Sequence, residues 1–110
     1  MGSVDRAAFT AEMVLDAETV ATLYAYFAEE LAQDAHDMEE AAKRRDGAAF
    51  ARYVHKMKGT SASYHADDLH AGLAEADRFC KAEAWTSAFD LAPALRRTAE
   101  AALREIAGWS

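Results

Sequence analysis

The sharpest chemistry in this sequence belongs to His55, in the run His55-Lys56-Met57-Lys58-Gly59-Thr60-Ser61-Ala62-Ser63. A neutral imidazole nitrogen is a nucleophile toward electrophiles such as phosphorus, and histidine supplies that form in the physiological pH range. Lys58, three residues on, brings a mobile ammonium group that can neutralise phosphoryl oxygens or meet an acidic partner. Gly59 carries a cost of about 0.8–1.0 kcal/mol relative to Ala inside a helix, so its presence there calls for a reason. Close approach by another molecule is that reason.

The surrounding pattern is helical. Successive side chains on a helix are about 100° apart, so Phe50, Val54, Met57, Ser61 and Tyr64 form one largely apolar stripe. His55 lies off this stripe. Ala51, Lys58, Gly59 and Ala62 fall on the same side as His55, and three of these four are Ala or Gly. The nucleophile is therefore expected on an exposed face bordered by small side chains.

These residues resemble the histidine-containing phosphotransfer domain of multistep two-component relays. The signature runs histidine, any residue, a hydrophobic residue, lysine, glycine, any residue, serine, then a glycine-alanine pair and a leucine. His55, Met57, Lys58, Gly59, Ser61, Ala66 and Leu69 fall on it, whereas His65 stands where the family usually has glycine. The resemblance extends in helix order and length over roughly residues 16 to 108. It implies that His55 accepts a phosphoryl group, that Lys58 and Gly59 shape the docking surface, and that Ser61 packs inside the bundle; Lys58 is also expected to stabilise the phosphoryl charge. It further implies receiver domains of response regulators or hybrid histidine kinases as partners, which bring Mg²⁺ and most of the catalytic groups. On this reading the chain is a phosphocarrier with no kinase activity and no cofactor of its own. The competing reading is a helical binding module that docks on a receiver or kinase without taking phosphate.

Charge bounds the partners. The formal net charge is −7, and nucleic acid or an anionic membrane demands a cationic footprint that such a chain lacks. Yet Lys43, Arg44, Arg45, Arg52, Lys56 and Lys58, half of all 12 Lys and Arg, lie within residues 43–58, where the only acid is Asp46. Such a run is ordinarily a solvated face. Around His55 it also forms a basic collar suited to steering an acidic docking surface, with Arg52 and Lys56 beside Gly59, Ala51 and Ala62 as the expected contact residues.

Length and composition point to one all-α domain over residues 1–110, with its core at about 16–108. A chain of 110 residues that is 52% hydrophobic with a single Pro can bury one core. Residues 4–13 are expected to form a short leading helix. Asp16 then caps a long helix whose stripe of Val20, Leu23, Phe27, Leu31, Met38 and Ala42 runs to near Arg45. Asp46 and Gly47 interrupt the pattern, and Asp46 caps the His55 helix, which extends to about Tyr64. Asp67 and Asp68 suit the first turn of the next helix, whose buried side is Leu69, Gly72, Leu73, Ala76, Phe79 and Cys80. A last helix from about Trp85 to Ala107 contains Pro93, which removes a backbone donor and predicts a bend. Short connections between amphipathic helices make antiparallel neighbours, hence an up-and-down four-helix bundle. Such a bundle buries its stripes without a second copy, so a monomer is expected.

Other chemistries are weakly supported. His36, His55, His65 and His70 include no pair at the i, i+4 spacing that gathers metal ligands on a helix. His65 and His70 read as turn and surface residues, with His65 near enough to His55 to alter its surroundings. There is no Gly-rich nucleotide loop and no nucleophile elbow, so neither ATP use nor hydrolysis is expected. Tyr26 and Tyr53, off the apolar stripes, are candidate rim contacts. Cys80 has no disulfide partner, no apolar run approaches a membrane span, and no signal-peptide pattern opens the chain, so a cytoplasmic location is the default.

Overall fold

The computed structural model describes residues 3–109; Met1, Gly2 and Ser110, part of the expected 1–110 domain, lie outside the described residues. Six helices account for nearly all of it: α1 (Arg6–Met13), α2 (Ala17–Lys43), α3 (Gly47–Ser63), α4 (Asp67–Lys81), α5 (Trp85–Asp90) and α6 (Ala92–Ala107). Helix α2 packs against α3 and α6, and α4 packs against the same two from the other side. This closed ring of α2, α3, α4 and α6 is an antiparallel up-and-down four-helix bundle, with α1 as the extra N-terminal helix. At about 1.5 Å rise per residue, α2 alone spans most of the 42 Å long dimension.

The helix starts follow from their caps. Asp5, Asp16 and Asp46 each accept the backbone N–H three residues on, from Ala8, Thr19 and Ala49, which satisfies donors that the first helical turn leaves unpaired. Three of the helix ends share one geometry. After α2, α3 and α4 the chain steps into the left-handed region at Arg45 (φ 58°), His65 (φ 56°) and Glu83 (φ 55°). At each step the following amide reaches back five residues: Asp46 N to Ala41 O, Ala66 N to Ser61 O and Ala84 N to Phe79 O, all at 2.9 Å. This is the double-bonded helix stop that normally favours glycine. Gly47, by contrast, has no positive φ. It sits in the first turn of α3 because a Cβ there would come within 3.0 Å of the Trp85 ring.

The His65 result explains the pattern seen in sequence. The backbone at His65 is left-handed, a conformation that favours glycine, the residue the resemblance puts at this position. Its surroundings compensate: its carbonyl accepts the Asp5 N–H at 2.9 Å, and its Nε2 lies 3.1 Å from Glu12 Oε2. The ring therefore faces α1 at the end of α3, rather than approaching His55 as the sequence suggested. Helix α1 is further held by Phe9, which stacks on Tyr64 (5.0 Å between centroids) and meets Tyr24 edge-on. Tyr64 stacks in turn on Phe27 at 4.5 Å, and Tyr24 donates its hydroxyl to Tyr64 O at 2.6 Å. Burial pushes both phenols above their usual pKa.

One expectation is corrected. The segment 85–107 is not a single bent helix: it is two, α5 and α6, separated at Leu91. Pro93 lies in the first turn of α6, where its missing N–H would be unpaired in any case. The proline starts a helix instead of bending one.

Candidate functional site

Helix α3 turns its apolar stripe inward: Phe50, Val54, Met57 and Ser61 are fully buried and Tyr64 is half-buried. Ser61 Oγ has no hydrogen-bond partner in this core. The opposite side carries Ala48, Arg52, His55, Gly59 and Ala62, all exposed. Ala48 extends this strip one turn beyond the residues singled out by spacing. A Cβ built on Gly59 meets nothing within 4 Å, so no contact within the described residues requires glycine there.

Taking His55 as zero, about 100° per residue puts Lys56 near +100° and Lys58 near −60° around the helix. The two lysines therefore leave on opposite flanks, and each finds a carboxylate on the neighbouring helix. Toward α2, Lys56 Nζ lies 3.3 Å from Asp34 Oδ1, 3.2 Å from Asp34 Oδ2 and 3.4 Å from Glu30. Toward α4, Lys58 Nζ donates to Asp77 Oδ2 at 3.0 Å, and Lys81 Nζ lies 2.9 Å from the same oxygen. The side chains of Asp34 and Asp77 are each only 8% exposed. Hydrogen bonding of the ammonium to Asp34 raises the Lys56 pKa above its usual value. Bonds from Lys81 and Lys58 hold the Asp77 carboxyl below its usual 3.8, against burial, which pushes it up.

Several expectations change here. Lys58 is not a mobile ammonium but a partner of Asp77, because a buried carboxylate is costly without a cation. The basic collar is half-neutralised: Lys43 pairs with Glu40, Lys56 with Asp34 and Glu30, and Lys58 with Asp77. Arg52 stays exposed with its guanidinium over the Tyr53 ring at 5.3 Å, and Arg45 lies over Phe89 at 5.6 Å. Ala51, on the Lys58 flank, is half-buried instead of open, whereas Ala62 is exposed as expected. His70 is not a surface residue; it is half-buried, with Nδ1 3.0 Å from the Lys58 carbonyl oxygen. Of the two candidate rim aromatics, Tyr26 is 65% exposed and Tyr53 is half-buried.

Of the four histidines, the rings of His65 and His70 are engaged. His36 and His55 are exposed, and among the described residues neither ring has a hydrogen-bond partner. His36 lies on α2, away from the strip of small residues. Among the described residues no group of three or more His, Cys, Asp or Glu is gathered to hold a metal ion, and no helix is long and apolar enough to cross a membrane.

A family model described as Hpt domain matches residues 22–106. The chain belongs to the Hpt domain family. No curated protein and no solved structure matches it. Hpt domains are helical phosphocarrier modules that carry out histidine phosphotransfer in phosphorelays, interacting with receiver domains and kinases. In this Hpt domain the matched span begins inside α2 and ends inside α6, so it takes in all four bundle helices and the whole outward strip of α3.

Asp34, Asp77 and Lys81 escaped the sequence reading. Asp34 sits between Leu31 and Met38, and Asp77 between Leu73 and Cys80, all buried. An acid in an apolar register is the signal that identifies such residues.

Two outcomes follow. Gly59→Ala is expected to raise the unfolding free energy by about 0.8–1.0 kcal/mol, since Ala gains helix propensity and meets no clash; a lower urea midpoint would show that Gly59 serves internal packing. For Asp77, the folded pKa lies below the unfolded one, so its contribution is fully present above about pH 4 and fades as pH falls through the folded value. Asp77→Asn is accordingly expected to destabilise by about 1–3 kcal/mol at pH 7, with the deficit shrinking in denaturation curves taken below pH 4. A deficit independent of pH would contradict the ionised pairing.

Proposed function

We propose that this Hpt domain is a phosphorelay intermediate in which His55 accepts a phosphoryl group from the phospho-aspartate of one receiver domain and passes it to the aspartate of another. One observation carries the reading: His55 stands exposed on the outward strip of α3, bordered by Gly59 and Ala62, with nothing within 4 Å of the space a Gly59 Cβ would fill.

The chemistry suits this arrangement. A ring nitrogen of His55, taken here as Nε2, supplies the electron pair that bonds to phosphorus, while the acyl phosphate P–O bond breaks and the receiver carboxylate leaves. The reverse sequence returns the phosphoryl group to a second receiver, restoring neutral imidazole. Transfer needs in-line approach and neutralisation of the equatorial oxygens. In-line approach is supported by the lack of bulk at Ala48, Gly59 and Ala62. Neutralisation is assigned in part to Lys58, and Mg²⁺ is expected to come with the receiver domain. Arg52 on the strip and Lys56 on its flank serve as docking contacts, and Ala51 contributes by being small on the Lys58 side. The protein acts in this reading as a monomer, since the bundle buries its stripes without a second copy, and in the cytoplasm, where a lone free Cys80 is at home.

Incubation with a purified receiver domain phosphorylated on its aspartate is expected to label the protein with an acid-labile, base-stable phosphate, and His55→Gln is expected to abolish the label. Label persisting in His55→Gln would refute the assignment. Binding of the receiver by both proteins with no phosphohistidine in either would favour a docking module that takes no phosphate.

A further inference from the structure

The two lysines beside His55 are held by carboxylates in opposite stoichiometry. On the α2 flank one ammonium, Lys56, serves two carboxylates, Asp34 and Glu30. On the α4 flank one carboxylate, Asp77, receives two ammonium groups, Lys58 at 3.0 Å and Lys81 at 2.9 Å, both on Oδ2. The first cluster carries a formal charge of −1 and the second +1.

This difference decides which lysine can leave. Removing the partner of a buried charge is strongly destabilising, because the charge remains without compensation. Asp34 has Lys56 as its cation among the described residues, so Lys56 is locked in place. Asp77 retains Lys81 if Lys58 departs. Lys58 is also placed to depart: it lies three residues after His55, a spacing that makes side chains neighbours, and helical side chains lean toward the helix N-terminus, here toward the turn of His55.

We propose that Lys58 and Lys81 form an exchange pair on Asp77: when a phosphoryl group occupies His55, the Lys58 ammonium moves from Asp77 to the phosphoryl oxygens, and Lys81 alone keeps the buried carboxylate compensated. Lys81 is thus a positioning residue that acts through Asp77. The proposal rests on His55 being the phosphoryl acceptor. It also accounts for an otherwise idle feature, a lysine 70% exposed on α4 that is bonded to a carboxylate already paired across the helix interface.

The test uses phosphoramidate as a small phosphoryl donor, so no receiver is needed. A ring nitrogen of His55 bonds to phosphorus, the P–N bond of the reagent breaks, and ammonia leaves with the electron pair. His55-dependent label is measured as the difference from His55→Gln. Lys81→Gln is expected to slow labelling of His55 about two- to fivefold, the range an exposed charge pair supports, because Asp77 then retains Lys58. Lys58→Gln is expected to slow it equally. Asp77→Asn added to Lys81→Gln is expected to restore the wild-type rate by freeing Lys58, a recovery that loss of a structural ion pair cannot produce. Arg97→Gln, which removes one exposed charge on α6, is the control for net charge. In the wild-type protein, the Lys58 Nζ resonance is expected to shift on phosphorylation while that of Lys56 stays.

Label on His55 with Lys81→Gln at the wild-type rate, with no recovery in the double variant, or with an unmoved Lys58 resonance would overturn the exchange and leave the His55 assignment standing. No His55-dependent label at all would remove the assignment and the exchange together.

Discussion

Two buried carboxylates govern this site. Asp34 and Asp77 lie on the helices flanking α3, each almost wholly removed from water, and an uncompensated charge in such a place is untenable. Each takes a cation from α3, from positions one and three residues after His55 and on opposite sides of it, and Asp77 takes a second from Lys81 on its own helix. Pairing on both flanks favours one rotation of α3 about its axis. The apolar stripe fixes which side faces inward; the two ion pairs fix the orientation more finely and leave His55 between them. The rim of the site is therefore part of the bundle's own electrostatics rather than a set of loose surface charges.

The same economy appears at the turns. Four successive helices, α1 to α4, end on a left-handed residue, Val14, Arg45, His65 and Glu83, and none of the four is glycine. A non-glycine residue in this conformation costs on the order of 1–2 kcal/mol, which local contacts must offset. At His65 the offset is visible, because ring and carbonyl both engage α1. At His65, which stands where the resemblance puts glycine, the ring points to Glu12 on α1 and not into the outward strip. It ties the N-terminal helix to the end of α3, one turn beyond Ala62.

Much of this was legible in the sequence, for identifiable reasons. Periodic stripes gave the long helices because burial is one-sided, and Asp16 and Asp46 marked helix starts because a side-chain acceptor is what a first turn lacks. The exposure of His55 followed from its being off the stripe of Phe50, Val54 and Met57. What was hidden was mostly contact between helices. Lys58 and Asp77 are nineteen residues apart, and nothing local to Lys58 says that its ammonium is engaged. The break at Leu91 was masked because Phe89, Ala92 and Leu95 keep three-residue spacing across it, so the stripe runs on while the backbone does not. His70 looked like a surface residue because its partner is a backbone carbonyl, which has no signature in sequence.

The central claim is that His55 alone combines a free, solvent-facing ring with the open strip of α3, while His65 and His70 are engaged. Carbethoxylation by diethyl pyrocarbonate, followed residue by residue with mass spectrometry, measures this directly, since the reagent requires an accessible imidazole nitrogen with a free electron pair. His55 is expected to react at a rate close to that of free N-acetylhistidine, with His65 and His70 well behind it. A His55 ring protected to the level of those two would contradict the account.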